Sequence, residues 1–243
     1  MNGQSYTYTF FGKVFPERAN VKFSQLENEM KWNDNKINGV LSIDCSQIMA
    51  QYTCNSKIED IYTFKNDIKE QIRSIVDIIG YTNGCGYDIE ITSCVDSLDR
   101  QIVFGVNIAD TEKFSEKRPH KVNDLFLILS SSEYQICFRR CLADLREAIR
   151  SPKDTGFFCY RGLESLRQFF ANKHDLSDGK SWEKFRDELD VEMKKIIEIK
   201  KYADPVRHGG NISISSEERY KIVESTWEIV DKFIEYALMN MKK

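Results

Sequence analysis

Hydrophobic positions change their period partway along the chain. In YTYTFFGKVF (Tyr6–Phe15) aromatic and β-branched residues alternate with others up to Pro16, the period of a strand with one buried face. NVKFSQLENEMKW and NGVLSIDCSQIMAQY continue the β character. From Ile61 the period lengthens. Ile61, Phe64, Ile68, Ile72, Ile75 and Ile79 recur at three and four, which predicts an amphipathic helix capped by Asp60 and ending at Gly80. NGCG at Asn83–Gly86 marks a turn, and YDIEITSCV with RQIVFGVNI reads as a hairpin through Asp96–Asp99. An antiparallel sheet packed on one helix is expected over residues 1–110, as the N-terminal part of an α+β protein.

Residues 110–124 (DTEKFSEKRPHKVND) are polar, and 111–130 reads as a linker in which His120 is an exposed, incidental histidine. Beyond it the period is helical. Tyr134, Cys137, Phe138, Cys141, Leu142, Leu145 and Ile149 predict a first helix, stopped by Ser151-Pro152. Phe158, Leu163, Leu166 and Phe170 predict a second, capped by Asp154 or Thr155. Trp182, Phe185 and Leu189 mark a short third helix after Ser181. Met193, Ile196, Ile197 and Lys200 mark a fourth, capped by Asp190 and ending before Pro205. Tyr220, Val223, Trp227, Val230, Ile234 and Ala237 line the last, which Ser215-x-x-Glu218 opens as a capping box. Short connections favour an antiparallel helical bundle over residues 131–243.

Composition narrows the function classes. Of 243 residues, 41% are hydrophobic and 30% charged, with a net charge of −3, so no general attraction to nucleic acid or anionic membrane is implied. MNGQSYTYTFFGKVF lacks a basic start followed by an apolar run, so no signal peptide is expected. LFLIL at Leu125–Leu129 is too short to cross a bilayer, and no membrane partner is expected. The seven cysteines include no C-x-x-C pair. Cys137, Cys141 and Cys159 read as reduced core residues in a cytoplasmic protein rather than zinc ligands. No metal or cofactor is expected.

Nucleotide-binding glycine motifs, H-E-x-x-H and G-x-S-x-G are absent. The most distinctive chemistry lies in KYADPVRHGG (Lys201–Gly210). Histidine is the residue type suited to acid–base work near neutral pH, which makes His208 a candidate. Arg207 can fork onto a phosphate. Lys201 adds a charge, and Gly209 and Gly210 would let backbone amides approach an anion. The competing reading is a helix end whose glycines form a left-handed turn and whose Asp204 pairs with Arg207. A second basic cluster (Arg139, Arg140, Arg146, Arg150, Lys153, Arg161 and Arg167) reads as a phosphate-binding surface or a face of ion pairs.

GFFCYRGLESLRQFF, KSWEKFRDEL, KKYADPVRHGG and SSEERYKIVESTWEIVDKFIEYAL together resemble the HEPN class of helical domains. With NGCGYDIEI, the chain also resembles bacterial proteins tied to phage defence or toxin systems. The HEPN resemblance implies RNA or nucleotide recognition and a homodimer through the helices. In catalytic members it implies a metal-independent ribonuclease, with four to six residues standing between an Arg and the His that follows it. Here Arg207 is directly followed by His208, and Lys201, Tyr202 and Ala203 fill the positions that Arg would occupy. Arg167 and His174 meet the spacing but follow the second helix. The expectation is therefore a binding protein for RNA, a nucleotide or a protein partner. The alternatives are a ribonuclease using His208 and Arg207, and a dimerising structural module.

Overall fold

The computed structural model describes residues 5–32, 35–105, 119–210 and 212–241. The chain forms two compact units, Met1–Val106 and Asn107–Lys243. The expected linker stretch 111–118 and strand residues 106–108 lie outside the described residues.

The first unit is a six-stranded antiparallel sheet: β1 (Tyr6–Phe15), β2 (Phe23–Trp32), β3 (Asn35–Asp44), β4 (Gln47–Cys54), β5 (Asp88–Asp96) and β6 (Gln101–Val103). Their order is β2-β3-β4-β1-β5-β6. The alternation in β4 is realised in full, with Ile48, Ala50, Tyr52 and Cys54 buried against α1 (Ile61–Asn83). Phe64 of that helix sits among the rings of Tyr8, Phe10, Trp32 and Tyr52, at centroid distances of 6.2, 5.7, 5.2 and 5.9 Å. Asp60 caps α1 through the Thr63 amide at 2.9 Å, as the sequence predicts. The helix runs past Gly80 to Asn83 and closes at Gly84, whose φ is 63°. Gly80 instead gives room to the returning chain, since a Cβ there would lie 2.5 Å from the Cys85 carbonyl oxygen.

In the second unit the described helices are α2 (Val122–Ser130), α3 (Gln135–Arg150), α4 (Thr155–His174), α5 (Asp178–Leu189), α6 (Met193–Arg207) and α7 (Ser216–Met241). Helix α2 lies inside the stretch that reads as linker and buries Ile128. His120, just before it, is partly buried, and its Nε2 lies 3.2 Å from the Asp231 carbonyl oxygen. Helix α4 is the centre of the bundle and packs on α3, α5, α6 and α7. That is why it buries residues on several sides rather than on one stripe. Phe138, Phe170, Phe185 and Phe233 are fully enclosed.

In the helical unit one cap bond and two helix boundaries differ from the sequence reading. Asp154 occupies the N-cap position of α4 without a side-chain cap bond, and the Thr155 hydroxyl donates instead to the Ala148 carbonyl at 2.8 Å. Asp190 closes α5 in a left-handed conformation, φ 49°, and Glu192 begins α6. Helix α6 continues through Pro205 to Arg207. In the final turn a proline forfeits only one bond, the one its missing N–H would have given to the Lys201 carbonyl, so the helix survives it.

Candidate functional site

The Lys201–Gly210 stretch forms the C-terminal end of α6 and the turn beyond it. Gly156 sets the depth of this corner. A Cβ on Gly156 would stand 2.4 Å from that of Tyr202, so only glycine lets the first turn of α4 lie so close to α6. The end of α6 closes as a Schellman turn: Gly209 N–H donates to Val206 O at 3.1 Å and Gly210 N–H to Pro205 O at 2.7 Å. Gly209 has φ 76°, the left-handed conformation that favours glycine. A Cβ on Gly210 would lie 2.9 Å from the Pro205 oxygen. Both glycine amides are thus spent on the helix's own carbonyls and are not offered to an anion.

The side chains are more open. Lys201, Arg207 and His208 are all exposed. Arg207 Nη1 lies 3.5 Å from Glu164 Oε1 on α4, so the partner is Glu164, where the sequence reading had placed Asp204. The His208 ring has no hydrogen bond or ion pair with a described residue. Burial pushes the Tyr160 hydroxyl pKa up, with the Glu164 and Asp204 carboxylates adding to the shift, so the corner holds acid as well as base.

The positive end of α7 is also taken. Ser215 N–H donates to Glu218 Oε2 at 2.9 Å, and Glu218 N–H donates to Ser215 Oγ at 3.2 Å, which completes the predicted capping box. The Ser215 bonds hold the Glu218 carboxyl below its ordinary range. Tyr202 Oη, 3.1 Å from Glu218 Oε1, ties α6 to this cap. A carboxylate of the chain itself therefore fills the place a bound anion would seek.

The other residues singled out by sequence are dispersed. Arg167 is buried, and its Nη1 donates to Asp178 Oδ1 at 2.8 Å and Ser181 Oγ at 2.7 Å. It pins α4 to the start of α5, while His174 is exposed at the end of α4. Arg146 and Arg150 approach Glu147 at 3.0 and 3.9 Å, and Arg161 Nε donates to Asp144 Oδ1 at 2.8 Å. This much of the basic cluster is a set of ion pairs. Arg139 and Arg140 are exposed and carry no ion pair among the described residues. Cys137, Cys141 and Cys159 are buried and reduced. Burial pushes the Cys137 thiol up to about 11 and the Cys159 thiol to about 12. No group of three His, Cys, Asp or Glu residues among the described residues is placed to hold a metal.

One concavity escaped the sequence reading. A cleft of about 360 Å³ opens along the seam of α3 and α4. Glu133, Ile136, Cys137 and Arg140 supply one wall, at helical spacing, and a stripe from Ser165 to Lys173 supplies the other. The available signal was Ile136, an apolar residue on a polar face, which is 54% exposed.

No helix among the described residues is long and apolar enough to cross a membrane. No curated protein and no solved structure matches the chain. Family models do match, over residues 8–104 as the N-terminal domain and 124–238 as the C-terminal domain of a domain of unknown function, DUF8168. The sheet–helix unit and the helical bundle correspond to these two parts, and the chain belongs to the two-domain DUF8168 family.

Proposed function

We propose that the protein is a recognition protein rather than an enzyme, and that its HEPN-like helical unit engages RNA phosphates in a bacterial defence or stress response. The supporting observation is the set of exposed basic side chains at the end of α6: Lys201, Arg207 and His208. All three lie within the last two turns of α6 and its C-cap. Catalysis is less well supported, because the His208 ring has no described partner to hold it and Lys201 lacks the guanidinium fork. Two or three phosphate contacts would give a slope of about −1.4 to −2.1 in log affinity against log salt for single-stranded RNA.

The test incubates the full chain with total RNA in EDTA. A salt-sensitive mobility shift without cleavage is expected, weakened in Lys201→Ala/Arg207→Ala. Cleavage abolished by His208→Ala would replace this reading with a ribonuclease. Absence of any shift, or an unchanged one in the double variant, would overturn it. A second reading, a homodimer through the helices, draws on the exposed Val122, Phe126 and Leu127 of α2. Light scattering on dilution measures it directly, and a monomer at every concentration would end it.

A further inference from the structure

The cleft between α3 and α4 differs in chemistry from the corner at the end of α6. Its volume of about 360 Å³ falls in the lower part of the range of small-molecule sites, about 300–1,000 Å³. That size suits a compact organic ligand and not a macromolecule. Phe169 supplies an apolar floor, 7% exposed, with its ring braced by Tyr134 at 4.8 Å and Phe233 at 5.8 Å. Ile136 extends the apolar wall toward solvent.

The polar groups are unevenly committed. Lys173 Nζ donates to Glu133 Oε1 at 2.8 Å, so these two charges offset one another. Gln168 Nε2 donates to Asn172 Oδ1 at 2.8 Å, which orients both amides along the rim and leaves the Asn172 amine available. Arg140 carries no ion pair among the described residues and gives the cleft a net positive charge. A guanidinium beside an apolar floor, with amide groups along the edge, matches a ligand with an anionic head, a planar body and a polar rim.

We propose that the α3–α4 cleft binds a compact organic anion, with Arg140 on its phosphate or carboxylate head and its planar body against Phe169 and Ile136. This site goes beyond the RNA reading and does not depend on it, because it shares no residue with Lys201–Gly210.

Calorimetric titration of the full chain uses four probes: adenosine 5′-monophosphate, indole-3-acetate, adenosine and inorganic phosphate. At least one of the two organic anions is expected to saturate a single site, with the neutral nucleoside and bare phosphate at least about tenfold weaker. Preference for the nucleotide assigns a phosphate head; preference for the indole acid assigns a carboxylate. Arg140→Ala is expected to weaken the preferred anion about tenfold or more with an unchanged melting temperature, as the side chain is exposed and unpaired. Lys201→Ala/Arg207→Ala is expected to leave this binding untouched, so failure here and failure of the RNA reading are separately visible. Binding of neither anion, equal binding of bare phosphate, or undiminished binding by Arg140→Ala would each overturn the proposal.

Discussion

Between the sheet and α1 the side-chain network is neutral, with the buried carboxylate Asp96 set apart at the end of β5 beside Arg100, whereas among the helices the buried networks are built on guanidinium groups. In the first unit Asn28 Nδ2 donates to Gln71 Oε1 at 2.9 Å, Tyr52 Oη lies 3.4 Å from the same oxygen, and Gln71 Nε2 reaches Met30 Sδ at 3.4 Å. In the second, Arg219 is 6% exposed and donates through Nε to Thr155 Oγ1 at 2.9 Å. Its Nη2 donates to the carbonyls of Ala148, at 3.1 Å, and Ile149. Burial lowers its pKa to about 10, which leaves it charged at neutral pH. Strand ladders satisfy backbone groups sideways, so amides suffice where side chains meet a helix. A helix that ends inside a core leaves several carbonyls without donors, and a guanidinium is the side chain that can serve several at once.

The comparison can be broken first at Arg219. Arg219→Met strips the buried end of α3 of its donors and is expected to cost the helical unit about 3 kcal/mol. Urea unfolding followed by fluorescence would show it, since Trp182 and Trp227 report on this unit. An unchanged midpoint would mean that the carbonyls find other donors. Gln71→Leu, the matching change under the sheet, is expected to cost about 1–2 kcal/mol, because Asn28 and Tyr52 lose a shared acceptor but no charge is stranded. Equal losses in the two variants would erase the distinction drawn here.

The smallest effect sharpens the contrast by pH. The Glu218 carboxyl is held below its ordinary value of 4.5, so it stabilises the folded chain above that value. The contribution is lost as pH falls through the depressed folded value. Glu218→Gln is expected to melt below the parent at pH 7 by a margin worth about 1 kcal/mol or less, and the gap should narrow as the pH falls below 4.5. The gap between Gln71→Leu and the parent, resting on neutral groups, should stay constant over the same range. A Glu218→Gln gap that does not narrow would contradict the assignment.

Much of the architecture was legible from local signals. Period two and period three-to-four separated sheet from bundle, and Asp60 and the Ser215–Glu218 box marked helix starts through bonds to residues three away. What escaped depends on partners distant in sequence. Asp204 looked like the mate of Arg207 because it is near in the chain, but packing of α4 on α6 supplies Glu164. Pro205 looked like a stop because the cost of a proline depends on how many turns follow it. The cleft has walls from two helices whose stripes meet only after folding. At the corner the residue types were readable, but the commitment of the Gly209 and Gly210 amides to carbonyls was not.

That commitment bears on how genetic screens of this protein should be interpreted. Substitutions at Gly209 or Gly210 strain the reversal of chain direction after α6, so a phenotype at either reports on folding rather than on chemistry. Lys201, Arg207 and His208 have exposed side chains, so truncating them leaves that turn intact. A screen that weighted the glycines equally with them would map an active centre onto a hinge of pure geometry.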